Sequence, residues 1–88
     1  MSISIKIISN NEYEVTVKSK TVTTHLVTLS DEVHKKLTNE KVTKEELLDF
    51  SFKFLLDRES NTSILSSFEL TVISRYFSDY EKSVKKCC

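Results

Sequence analysis

No glycine, proline, alanine, glutamine or tryptophan occurs in the 88 residues. Average proteins carry about 7% glycine and 5% proline, so roughly ten residues of these two types are missing. Glycine, alanine and proline have GC-rich codons, and the bias reads as that of an AT-rich coding sequence. Its chemical consequence is firm. Phosphate loops of the Walker and dinucleotide type need glycines so that the backbone can approach the phosphate closely. Nucleotide binding by those routes is excluded. Cysteine is confined to Cys87 and Cys88. Adjacent cysteines cannot staple a core, which fits a cytoplasmic protein without disulfides.

Charge of one sign is missing too. Thirteen basic and thirteen acidic residues cancel, which argues against a basic nucleic-acid coat and against an acidic tail protein. No run approaches the 18 or so apolar residues of a membrane span, so no membrane association is expected. The N-terminus alternates instead of following a cationic start with an apolar stretch, and it does not read as a secretory signal.

What is present has clear periodicity. Ile3, Ile5 and Ile7 alternate with Ser4 and Lys6, the two-residue period of a half-buried strand. Ser9-Asn10-Asn11 reads as a turn. Tyr13, Val15 and Val17 alternate with charged residues and Thr16. Ser19-Lys20 is a second turn, and Thr21 to Leu29 is a third run, with Val22 and Leu26 on one side and His25, Val27 and Leu29 on the other.

Ser30 then caps a short helix opened by Asp31 and Glu32 and closed near Asn39. Thr43-Lys44-Glu45-Glu46 is a capping box for a second helix running to Leu56. Ser60-Asn61-Thr62 breaks the chain, and a turn follows around Ile64, Leu65 and Phe68. A last helix carries Val72, Ile73, Tyr76, Phe77, Tyr80 and Val84. The pattern predicts an α+β fold, an N-terminal three-stranded antiparallel meander followed by three helices packed on one face. Residues 1–84 form a single domain and residues 85–88 a polar tail.

Chemistry-bearing constellations are sparse. Neither His25 nor His34 has the ligand spacing of a metal site, and no cofactor is expected. The thirteen serines show no activated nucleophile. Enzymatic activity is therefore not expected, and the alternative is a small enzyme without a recognisable motif.

The second helix is unusually apolar. Leu47, Leu48, Phe50, Phe52, Phe54, Leu55 and Leu56 spread wider than the arc one sheet covers. They predict self-association as a homodimer, with Phe50 and Phe54 at the interface and Leu48, Phe52 and Leu55 in the core. The monomeric alternative has the first and last helices cover the remainder. The expected class is a non-enzymatic interaction protein.

The segment His25-Leu26-Val27-Thr28-Leu29-Ser30-Asp31-Glu32-Val33, followed by a second capped helix, resembles the ribbon-helix-helix DNA-binding family over about residues 23–59. That resemblance implies a strand pairing with its twin across a dimer and entering the major groove of DNA. The base-reading strand positions then fall on Thr24, Leu26 and Thr28, none of them charged. A DNA-binding regulator is thus the runner-up. The stretch from Leu47 to Tyr80 is also similar to small bacterial proteins of uncharacterised function. This implies a bacterial stand-alone domain and no site residues. The Lys85-Lys86-Cys87-Cys88 end resembles the prenylated double-cysteine ends of vesicle-trafficking GTPases, although no GTPase motif accompanies it.

Overall fold

The computed structural model describes residues 2–87. Three strands open the chain: β1 (Ser2–Ile7), β2 (Glu12–Lys18) and β3 (Val22–Thr28). They pair as the expected antiparallel meander, with Ile5 opposite Val15 and Val15 opposite His25. Residues opposed across a ladder share a face. One face therefore carries Ile3, Ile5, Tyr13, Val15, Val17, His25 and Val27, and along β2 and β3 it is buried at most of these positions. The other face carries Ser4, Lys6, Glu12, Glu14, Thr16 and Lys18 and meets solvent or is half-covered.

Two helices follow, α1 (Asp31–Thr38) and α2 (Lys44–Leu56). Both start at the caps legible in the sequence. Ser30 accepts the Val33 N–H at 3.2 Å, and Thr43 and Glu46 exchange the two bonds of a full capping box. The turn between the helices has no glycine to use. Asn39 and Glu40 both take left-handed backbone, φ 55° and 63°. The His34 ring N–H donates to the Val42 carbonyl and the Thr38 hydroxyl to the His34 carbonyl, which hold this turn closed.

Beyond α2 the expectation of three helices and a pure meander needs correction. A 3-10 turn (Asn61–Ser63) leads into a fourth strand, β4 (Ser67–Glu69), which pairs in parallel with β3. The sheet is mixed, in the order β1-β2-β3-β4. Parallel strands need a long crossover, and α1 and α2 supply it.

The last helix is two helices, α3 (Val72–Tyr76) and α4 (Tyr80–Cys87). Phe77 between them is extended. Asp79 then accepts the first helical N–H of α4, from Ser83, on its carbonyl, while its carboxylate pairs with Arg58 at 2.7 Å. The break lets Phe77 and Tyr80 both reach Phe54, with ring centroids 5.9 and 5.3 Å away. Lys85 and Lys86, assigned from sequence to a polar tail, are exposed on the final turns of α4. Cys88 and the side chain of Cys87 lie outside the described residues.

The core follows from these placements. α2 is apolar nearly all round because it is central: Leu47, Leu48, Ser51, Phe52, Phe54 and Leu55 are all buried within the one chain. The sheet covers one side of it, and α4 and Phe77 cover another. The Tyr80 hydroxyl docks α4 onto it, 2.5 Å from the Ser51 hydroxyl, which itself donates to the Leu47 carbonyl at 2.7 Å.

Candidate functional site

The side chains singled out in the sequence separate into three places. Phe54 is only 7% exposed, packed edge-on against Phe77 and Tyr80 with the Arg58 guanidinium 3.6 Å above its ring. Its surface is spent inside the chain. Leu48, Phe52 and Leu55 are core residues, as their positions on α2 predict. Phe50 is different: it is half-buried and lines a groove beside β1.

That groove is the first candidate surface. It holds about 520 Å³ between α2 and the sheet, floored by Ile5, Val42 and Phe50 and rimmed by Glu45, Glu46, Asp49 and Lys53. Three of the four rim charges are engaged locally. Glu46 closes the capping box through the Thr43 N–H, and Asp49 pairs with Lys53 at 2.8 Å. Ile3 and Ile5 are half-covered by the core, Ile7 is 59% exposed, and Ile8 just past the strand is exposed as well.

β1 ends the sheet, with no strand on its far side among the described residues. Half of its backbone donors and acceptors thus point away from β2, the ordinary template for adding another strand. Six residues with one charge, Lys6, do little to blunt it. The isoleucine alternation marks β1 as a strand but not as an edge, since the other end of the same meander, β3, gains β4 as a neighbour. The wide apolar arc of α2 draws the expected interface to that helix instead.

The groove is braced from behind. Lys44, at the start of α2 and largely covered, donates to the Asn10 carbonyl at 3.0 Å and pairs with Asp31 at 2.5 Å. It thereby ties the β1–β2 turn to both helices. The hydrogen bond and charge of Lys44 hold the Asp31 carboxyl below its ordinary value. Burial pushes the Tyr13 phenol up, with the nearby Lys44 charge opposing it.

Thr24, Leu26 and Thr28 lie together on the outer face of β3, away from the helices. Their surroundings are acidic: Glu14 stands opposite Leu26, and Glu12 and Glu69 flank Thr28 from the two neighbouring strands. Carboxylates there repel phosphate. In a ribbon-helix-helix dimer this strand pairs with its twin, but here β2 takes one edge and β4 the other over Leu26–Thr28.

The histidines serve the fold. His25 is buried, with Nδ1 2.8 Å from the Leu65 carbonyl and Nε2 2.9 Å from the Thr23 hydroxyl. Among the described residues no three His, Cys, Asp or Glu side chains converge on one point, and no helix is long and apolar enough to cross a membrane. No protein-family model matches the chain, and neither a curated protein nor a solved structure matches it.

Proposed function

We propose that this chain is a non-enzymatic interaction protein that associates with a second copy of itself through the open edge of β1. The observation that carries the reading is the continuity of that edge with the apolar groove of Ile5, Val42 and Phe50. A strand added there completes the backbone hydrogen bonds and covers the half-exposed isoleucines in one step.

Symmetry narrows the geometry. A two-fold axis makes the paired strands antiparallel, and opposed residues must share a face. Odd-numbered residues of β1 face the core and even-numbered residues face out. The axis therefore passes through a residue, and the two registers that pair most of β1 centre on Ser4 or Ile5. The first register sets Ile3 against Ile5 and Ser2 against Lys6, and the second sets Ile3 against Ile7 and Ser4 against Lys6. Both align apolar with apolar and keep Lys6 away from its own copy. An axis through Lys6 opposes like charges and is disfavoured.

A catalytic role finds no support in the polar groups of the core. The Ser51 proton is committed to the Leu47 carbonyl, and each histidine ring is held by a backbone carbonyl. A nucleophile needs an adjacent base, and none of these groups stands in that relation.

Amide hydrogen exchange tests the proposal. Raising the protein from about 1 μM to about 1 mM should slow the outward-pointing amides of β1, with a midpoint in the micromolar range, equivalent to about 8 kcal/mol of association. The amides of β4, the opposite edge, should not respond. Exchange of β1 that is independent of concentration overturns the reading.

A further inference from the structure

We propose that the cleft at the β4 end of the molecule binds a small apolar ligand carrying a single ammonium group. The cleft lies between the C-terminal turn of α2, the segment that leads into β4, and α3, and holds about 350 Å³. That is the small end of the range for ligand pockets. Phe68, Ile73 and Phe77 line its apolar interior, while Leu65 and Tyr76 stand at the mouth, 47% and 70% exposed. An aromatic ring so open beside an apolar cleft is a ready partner for a ring or a cation.

Glu59 is the one charged residue among the described residues lining this cleft. It is half-buried, and among the described residues its carboxylate has neither a hydrogen-bond nor an ion-pair partner. Arg58 beside it is turned to Asp79. An apolar body filling the cleft strips water from that carboxylate, and an unpaired charge resists desolvation. A ligand bearing an ammonium relieves the conflict, a neutral one leaves it standing, and an anion makes it worse. The charge of Glu59 thus sets the order of preference: cation, then neutral, then anion.

The wall of the cleft is fixed before any ligand arrives. Asn61 donates to the Thr21 carbonyl and the Thr23 hydroxyl, His25 to the Leu65 carbonyl, and the Leu26 N–H to the Ser66 carbonyl at 2.8 Å. These bonds tie residues 61–66 to β3, so little ordering remains to oppose binding. The sheet order sets this cleft at the far end from β1, and the inference stands independently of the dimer.

The test titrates 2-phenylethylamine, 2-phenylethanol and 3-phenylpropanoate into the full chain, read by amide chemical shifts. The amine should bind with a Kd of about 1 mM, with shifts confined to the cleft, and the alcohol about tenfold more weakly. Glu59→Gln should erase the difference between amine and alcohol, and Tyr76→Ala should weaken both. Equal affinity of the amine and the alcohol for the native chain overturns the proposal, whatever the variants do. So does the absence of cleft shifts at about 10 mM amine.

Discussion

Nδ1 of His25 sits 2.8 Å from the carbonyl oxygen of Leu65, forty residues later in the chain. A carbonyl only accepts, so the proton is on Nδ1. Nε2 in the neutral ring then accepts from the Thr23 hydroxyl, whose oxygen in turn accepts from Asn61. One directional chain of hydrogen bonds thus joins the middle of the sheet to the wall of the cleft.

Replacing His25 by phenylalanine keeps an aromatic ring near Phe52, 5.5 Å away, but strands the Leu65 carbonyl and takes the acceptor from the Thr23 hydroxyl proton, while Asn61 still donates to the Thr23 oxygen. Leaving a buried group without its partner costs about 1–3 kcal/mol. Urea unfolding of His25→Phe should show a loss of about 2–3 kcal/mol. The Leu26 amide, which bonds to Ser66, should exchange faster as the wall loosens.

Tyr80→Phe removes a buried hydroxyl that meets Ser51 on α2 while preserving the ring against Phe54. Stability should fall by about 1 kcal/mol, a drop in Tm of about 4–8 °C in a domain of this size. No change in Tm means that this bond does not hold α4 in place.

Glu40→Gly should stabilise the protein. The residue holds φ at 63°, a conformation that costs a residue with a Cβ about 1–2 kcal/mol and glycine nothing. Glycine returns part of that gain as entropy of the unfolded chain. The net expectation is a rise of about 0.5–1 kcal/mol, visible as a higher Tm. A lower Tm contradicts the assigned backbone.

The two shifted groups work at opposite ends of the pH scale. The folded-state carboxyl of Asp31 lies below 3.8, because Lys44 hydrogen-bonds and attracts the charged form. Its contribution is complete above that ordinary value and is lost as pH falls through the lower one. Asp31→Asn should therefore flatten the acid limb of the stability profile. The phenol of Tyr13 lies above 10.0 through burial. Its contribution is complete below 10.0 and is lost as pH rises further, so Tyr13→Phe should flatten the alkaline limb. Thermal melts across the pH range check both signs.

The meander and both helix caps were legible because their causes are local. Alternation in Ile3–Ile7 and Tyr13–Val17 reports one covered face, and Ser30 and the Thr43–Glu46 pair bind amides three residues away. β4 was not legible, since three residues show no period and its partner strand lies about forty residues upstream. The division of the last helix was hidden because Phe77, Tyr80 and Val84 stay in helical phase across the break at Ser78-Asp79. Phe50 and Phe54 looked equivalent for a similar reason. They share a stripe four residues apart, and only the long-range packing of Phe77, Tyr80 and Arg58 distinguishes them. The cleft around Glu59 depends on the same distant contacts.

Sedimentation equilibrium of the native chain beside Ser4→Lys is the most direct test of association through β1. Ser4 is exposed in the single chain, so the substitution should spare its fold. In the dimer it opposes two lysines in either allowed register, Lys against its own copy or against Lys6. At about 100 μM the native chain should sediment at twice its 10.2 kDa mass. Ser4→Lys should dissociate roughly 5- to 30-fold more readily, at a cost of about 1–2 kcal/mol for the opposed charges. A native chain that stays at 10.2 kDa up to about 1 mM, or a Ser4→Lys dimer as tight as the native one, contradicts the account.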